Sequence, residues 1–139
     1  MIDIKALEQP EYADEYRRSL KARGEDPSAV DKILSMNNKR RQIITQQETL
    51  RSQQNKVGEE IAKKKRLKED ASTMLSEMQG IAAQVKALDA DVTKAEEELN
   101  AFVMRLPNKL HSSVKVGESA EDNQLVRSTG VKRPMSFKP

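Results

Sequence analysis

The feature that most constrains the fold is an apolar repeat in the second half of the chain. Ten apolar residues follow one another there at alternating steps of four and three: Met74, Met78, Ile81, Val85, Leu88, Val92, Ala95, Leu99, Phe102 and Leu106. A heptad pattern of this length keeps one apolar seam of a helix against a partner helix. It predicts a long α-helix that packs lengthwise on a second helix.

The partner helix is predicted in the preceding part of the chain. Its apolar positions are sparser: Met36, Ile43, Leu50 and Val57 recur at intervals of seven, with Gln47, Gln54 and Ile61 in the interleaved register. The apolar pattern lapses near residues 63–70, where the sequence is KKKRLKED. We place the bend there and call residues 63–70 the tip. Asp70 or Ser72 is the expected cap of the returning helix.

These patterns predict an all-α fold: a long antiparallel two-helix coiled-coil hairpin, with short N-terminal helices packed at its open end. Residues 27–106 form the hairpin, which we call the arm. Asp26 is the expected N-cap and Pro27 the first helical residue, and Pro107 ends the arm.

Two flanking segments complete the predicted organisation. Residues 1–26 contain a helix over 10–23 with Gly24 as C-cap, and its apolar face (Tyr12, Tyr16 and Leu20) is expected to dock on the arm. Residues 107–139 are an extended segment and linker. Val114–Gly117 alternates like a short strand, and a further extended piece is expected over 124–127.

Composition limits the class of protein. Apolar residues make up 36% of the 139 residues and aromatic residues only 3%, which is too little to fill a large globular core. A further 34% of the residues are charged. There is no cysteine, which suits the reducing cytosol. No apolar run approaches the roughly 20 residues that span a membrane, and we recognise no signal peptide. We therefore expect a cytoplasmic protein without a membrane partner.

Charge is distributed unequally between the two predicted helices. Residues 27–68 contain eleven Lys and Arg against four Asp and Glu, whereas residues 69–105 contain three against eight. The basic half offers a polyanion a long positive edge. The expected phosphate contacts are Arg51, Lys56, Lys63, Lys64, Lys65, Arg66 and Lys68. The alternative for these residues is an ordinary solvated face of a coiled coil.

The sequence contains no catalytic constellation. His111 is the only histidine, and the five glycines do not cluster into a phosphate-binding loop. Carboxylates such as those of residues 96–98 belong to a solvated helix face. We predict no catalytic residue, metal or cofactor in this chain. The scarcity of aromatic residues favours recognition of a folded nucleic acid by shape and backbone over base stacking on single strands.

Several stretches of the sequence form a distinctive series. They are the opening MIDIKAL with QPE and SLKARG, then DKIL with NKRR, then QNKVGEEIAKKK before the tip, and finally LPN followed by SVKVG. In these stretches the chain resembles bacterial-type seryl-tRNA synthetases. The resemblance extends over essentially all 139 residues. It implies a tRNA-binding N-terminal domain whose arm lies against the long variable arm and elbow of serine tRNA, across a homodimer.

The resemblance also implies an enzyme of which this chain is only a part. A class II catalytic domain after Pro139 would use ATP and Mg²⁺ to attach serine to tRNA, and this chain alone would be inactive. Whether the isolated arm is monomeric stays open. The alternative function is a coiled-coil hairpin scaffold or adaptor that binds a protein partner without nucleic acid. A transcript-cleavage-factor hairpin is disfavoured, because its tip would need metal-binding acidic residues.

Overall fold

The computed structural model describes residues 2–117 and 119–130, and three α-helices dominate it. They are α1 (Pro10–Ala22), α2 (Ala29–Arg66) and α3 (Ser72–Val103); single 3₁₀ turns lie at Ala6–Glu8 and Ala120–Asp122. The 38 residues of α2 and 32 of α3 correspond to about 57 and 48 Å of helix. The two pack side by side as an antiparallel hairpin, which confirms the predicted all-α fold.

The heptad pattern marks the contact between α2 and α3. All ten predicted positions from Met74 to Leu106 are buried or half-buried, and so are the seven predicted positions between Met36 and Ile61. Full burial along the outer half of the arm is limited, with Ile61, Ala71 and Val85 as its buried residues. The seam is therefore continuous but thin, as expected for two helices without a third layer.

A small core closes the open end of the hairpin. Its buried residues come from the N-terminal segment, the start of α2 and the end of α3: Ile2, Leu7, Ala13, Tyr16, Leu20, Ala29, Val30, Ile33 and Leu99. We call this cluster, with the elements that carry it, the base. Tyr16 and Leu20 are almost fully buried and Tyr12 packs beside them, which confirms that α1 docks on the arm through its apolar face.

Polar contacts attach the chain after α3 to α1. The Tyr16 hydroxyl donates to the Pro107 carbonyl oxygen over 2.8 Å, and the Leu110 N–H donates to Ser19 Oγ over 2.7 Å. Lys109 Nζ lies 2.6 Å from a carboxylate oxygen of Glu15. This bond lowers the pKa of Glu15 and raises that of Lys109. The segment that follows α3 is thereby held against the base.

The predicted start of α2 is wrong by two residues. The helix begins at Ala29, and residues 26–28 form a turn. Asp26 is not the N-cap; its carboxylate accepts the Ser28 N–H over 2.9 Å and the Ser28 hydroxyl over 2.6 Å. These bonds lower the pKa of Asp26. The Ala29 N–H bonds to the carbonyl oxygen of Asp26, three residues earlier, at 3.2 Å. This spacing is that of a 3₁₀ turn, which is tighter than an α-helical turn and precedes the helix here.

The C-terminal segment contains no strand among the residues that the structure describes. The predicted strand at Val114–Gly117 is wrong, because no neighbouring strand offers hydrogen bonds there. Residues 124–127, where a short extended piece is expected, have no regular secondary structure. The side chains of Val114 and Val116 are exposed. The predicted linker beyond residue 130 lies outside the described residues. No helix among the described residues is long and apolar enough to cross a membrane.

Candidate nucleic-acid interface

The tip consists of the last turn of α2 and most of the five-residue bend, residues 67–71, that follows it. Lys63, Lys64, Lys65 and Arg66 form that last turn, and Leu67 is its C-cap. Lys68 then adopts a left-handed backbone conformation, with φ of 57°. Its N–H bonds to the Lys65 carbonyl at 3.2 Å, and the Glu69 N–H bonds to the Lys64 carbonyl at 3.0 Å. This pair of bonds is a Schellman motif, which ends the helix and turns the chain.

The predicted cap of the returning helix, Asp70 or Ser72, is wrong: the N-cap of α3 is Ala71, no side chain caps it, and Ser72 is the first helical residue. The Asp70 carboxylate accepts the N–H and the hydroxyl of Ser72, each over 2.9 Å. The two bonds lower the pKa of Asp70, and the positive charge of Lys64 adds to the effect. Although the bend contains neither glycine nor proline, its backbone is therefore defined by hydrogen bonds at both ends.

Most of the predicted contacts present their charge to solvent. Lys56, Lys63, Lys65, Arg66 and Lys68 are exposed. None of these five lies within ion-pair distance of a carboxylate among the described residues. Lys64 is half-buried, because it lies seven residues after Val57 and so extends the seam. The structure thus brings five of the seven predicted residues together at the tip.

The other two predicted residues lie further down the arm. Lys56 precedes Lys63 by seven residues, which is about 10 Å along the helix. Arg51 precedes Lys63 by twelve residues, which is about 18 Å. Arg51 differs from the rest because it forms an ion pair with Asp89 of α3 over 2.7 Å. Gln47 also donates to the same Asp89 carboxylate oxygen. Sequence reasoning did not anticipate this shared acceptor, which neutralises part of the charge of Arg51.

Two arginines near the base are also paired within the chain, whereas the neighbouring Lys39 is exposed and has no ion pair among the described residues. Arg40 contacts Glu96 over 2.9 Å and Arg41 contacts Glu8 over 2.7 Å. Unpaired positive charge is therefore concentrated at the far end of the arm, although α2 is basic along much of its length. One apolar residue belongs to the same surface: Leu67, the first residue of the bend, is 69% exposed. Its signal in the sequence is a lone leucine inside a run of charges.

No group of three or more His, Asp or Glu side chains gathers in residues 2–117 and 119–130 to hold a metal ion. The ATP and Mg²⁺ that the resemblance implies stay a prediction about the full-length protein.

Comparison with known proteins identifies the family. The model of the seryl-tRNA synthetase N-terminal domain matches residues 1–110. The chain belongs to this family. A serine–tRNA ligase from Bdellovibrio bacteriovorus is 41% identical over 99% of this chain, and one from Staphylococcus haemolyticus is 37% identical over 100% of it. The chain spans about a third of these relatives, 33% and 32% of their lengths.

Solved structures of seryl-tRNA synthetases share the fold. The enzyme from Pyrococcus horikoshii, complexed with ATP, superposes with a TM-score of 0.77 and 29% identity. The match covers 88% of this chain and 27% of that one. The cytoplasmic serine–tRNA ligase of Naegleria fowleri, in complex with AMP, gives a TM-score of 0.76 at 18% identity over 96% of this chain and 36% of its own, a likeness of fold alone.

Proposed function

We propose that this chain is the tRNA-binding arm of a serine–tRNA ligase. In this proposal the arm recognises the long variable arm and elbow of serine tRNA by their shape and phosphates. The observation that carries it is the group of exposed, unpaired cations at the end of an arm whose helix α2 is more than 30 residues long. The full-length protein would be a cytoplasmic homodimer that attaches serine to tRNA with ATP and Mg²⁺.

Charge supports a polyanionic partner. Ion pairs within the chain neutralise Arg40, Arg41 and Arg51, which leaves the tip as the main site of uncompensated positive charge. Association with nucleic acid gains free energy when such cations displace condensed counterions from phosphates. Exposed cations bind phosphates without first breaking an internal pair, so the tip is better suited to this role than the middle of the arm.

Geometry supports a large, folded partner. The tip is separated from the base by the length of α2, about 57 Å. A short peptide or a nucleotide would contact only one end of such a surface, whereas a folded RNA can lie along it. The exposed face of α2 offers little aromatic surface, since both phenylalanines and both tyrosines lie outside α2, so phosphate and shape contacts are the interactions available along it.

The test is a salt titration of RNA binding by the full 139-residue chain. A transcript of a tRNA with a long variable arm is the probe, and fluorescence anisotropy gives Kd at several salt concentrations. Replacing Lys63, Lys64 and Lys65 with glutamine should weaken binding. It should also flatten the slope of log Kd against log salt by roughly one unit per lost phosphate contact.

A matched control removes the same charge elsewhere. Lys21, Lys86 and Lys94 are exposed and lie away from the tip, so their replacement with glutamine should leave the slope close to that of the native chain. An unchanged slope in the tip variant would refute the assignment of the tip lysines. Equal affinity for a tRNA without a long variable arm would refute shape recognition. Absence of any RNA binding by the native chain would favour the adaptor alternative.

A further inference from the structure

Within α2, α3 and the bend that joins them, large apolar side chains are exposed only at or near the bend. Among the described residues, seven large hydrophobic side chains are exposed. Five lie after the end of α3, at Met104, Val114, Val116, Leu125 and Val126, and the other two are Leu67 and Leu75. Leu67 is 69% exposed and Leu75 is 39% exposed. Between the base and the tip, the arm keeps its large apolar residues in the seam.

The local fold does not require an apolar residue at position 67. A Schellman motif is often accompanied by an apolar contact between the residues at C″ and C3, which are Glu69 and Lys64 here. Leu67 itself contributes its N–H, which bonds to the Lys63 carbonyl at 3.1 Å, and any residue but proline supplies that donor. Single exposed leucines are common on proteins, so the argument depends on the neighbours of Leu67.

Those neighbours select the kind of partner that can cover it. Four charged residues are exposed within two positions of Leu67: the cations Lys65, Arg66 and Lys68, and the carboxylate Glu69. Positive charge is in excess, so a partner that buries this leucine is favoured if it is negatively charged. A second copy of this tip would bring like charges together, which is repulsive. A folded RNA combines dense phosphate charge with apolar base faces at unstacked bases and outer base pairs.

We propose that Leu67 is an apolar contact for an exposed base face of the bound RNA, flanked by phosphate contacts from the tip cations. This inference rests on the proposed function and refines it. Binding then has two components. The cations supply a component that weakens with salt, and Leu67 supplies a component from burial of apolar surface, which salt does not screen.

The experiment uses the full chain, the same long-variable-arm transcript and a series of salt concentrations. Leu67→Ala should raise Kd about fivefold at every concentration, because burial of part of a leucine side chain is lost while the phosphate contacts remain. The slope of log Kd against log salt should not change. Leu67→Met, which keeps an apolar side chain of similar volume, should bind nearly as tightly as the native chain.

Leu125→Ala is the matched control. Leu125 is 80% exposed in the C-terminal segment, and its truncation should leave Kd unchanged. Circular dichroism should show the same helix content for the Leu67 and Leu125 variants, since both side chains are exposed. These measurements separate loss of a contact from loss of structure.

Four outcomes would overturn the proposal. If Leu67→Ala binds like the native chain while the lysine triple variant still flattens the slope, Leu67 has no role and the proposed function stands. If Leu67→Ala changes the slope, the leucine acts through its charged neighbours. If sedimentation shows that the native chain is a dimer and the variant a monomer, the leucine serves self-association. Failure of the native chain to bind RNA would overturn both proposals together.

Discussion

The base and the tip turn the chain with the same two devices but differ in what they bury. An Asp-x-Ser turn precedes α2 at Asp26 and α3 at Asp70, and each carboxylate accepts the serine amide over 2.9 Å. A Schellman motif ends α1 and another ends α2. The left-handed residue is Gly24 in the first, with φ of 73°, and Lys68 in the second, with φ of 57°.

Gly24 and Lys68, at the left-handed positions of the two motifs, differ in backbone strain and in charge. Glycine adopts positive φ without steric cost, whereas a residue with a Cβ is strained by about 1–2 kcal/mol. The base uses the unstrained residue at an exposed position, four residues after the buried Leu20. The tip accepts the strain and places a positive charge where glycine would have none. The base is therefore built for stability and the tip for exposed charge.

The largest expected difference between the base and the tip is in the free energy of unfolding that is lost when a leucine is truncated. Leu20 at the base is fully buried, so Leu20→Ala should lower the free energy of unfolding by about 2–5 kcal/mol through lost burial and a cavity. Leu67→Ala at the tip should change it by less than about 0.5 kcal/mol. Urea denaturation followed by circular dichroism measures both. Similar losses at the two sites would mean that the exposed tip contributes to the core, contrary to the comparison.

A second prediction concerns the polar contact that closes the base. Burial raises the pKa of Tyr16, whose hydroxyl donates to Pro107. Tyr16→Phe should therefore lower the free energy of unfolding by about 1–2 kcal/mol, because a part-buried carbonyl loses its donor. Tyr12→Phe is the control, since its hydroxyl forms no hydrogen bond among the described residues. An equal loss in both variants would argue against the Tyr16–Pro107 bond.

The third prediction has the opposite sign. Lys68→Gly should raise the free energy of unfolding by about 0.5–1 kcal/mol, because relief of the left-handed strain exceeds the added freedom of the unfolded chain. It should also weaken RNA binding by removing a charge. Lys68→Gln is the matched control, since it removes the charge and keeps the strain. Destabilisation by glycine would show that the tip does not depend on positive φ at this position.

The smallest effect is on the dependence of stability on pH. Hydrogen bonds from Ser28 and Ser72 lower the pKa values of Asp26 and Asp70. The folded protein therefore holds these protons more weakly than the unfolded chain. Their contribution to stability is present above the ordinary carboxyl pKa, about 3.9, and is lost as pH falls below it. Urea midpoints at several values between pH 2 and 6 measure this loss.

Asparagine variants at Asp26 and Asp70 measure how much of this pH dependence of stability arises at the base and how much at the tip. Asp26→Asn should flatten the acid dependence of global unfolding, because Asp26 adjoins the core of the base. Asp70→Asn should mainly speed amide exchange near Ser72, because few buried residues couple the tip to the rest. A larger change in global unfolding from Asp70→Asn than from Asp26→Asn would reverse the comparison.

Much of the fold follows from the spacing of apolar residues. The steps from Met74 to Leu106 predict the seam of α3, and the face formed by Tyr12, Tyr16 and Leu20 predicts its docking. Arg40 escaped this reasoning although it lies seven residues after Ile33 and seven before Gln47. A charged residue interrupts an apolar pattern, and its position in the seam depends on a partner, Glu96, on the other helix.

The tip could be located from the sequence but its backbone could not. Nothing in KKKRLKED favours positive φ at one residue, so the conformation of Lys68 depends on how the seam closes between Ile61 and Ala71, which are both buried. The C-terminal strand was predicted from local alternation at Val114–Gly117 and failed, since a strand needs a neighbour. The pairing of Arg51 with Asp89 likewise depends on the register of the two helices.

The antiparallel course of α2 and α3 has a consequence for the electric field at the tip. Each helix carries a macrodipole, equivalent to about half a negative charge at its C-terminus and half a positive charge at its N-terminus. The C-terminus of α2 and the N-terminus of α3 lie side by side there, so the two backbone contributions oppose each other. The potential that an approaching phosphate meets is therefore set by ionised side chains, and substitution of those side chains can tune it directly.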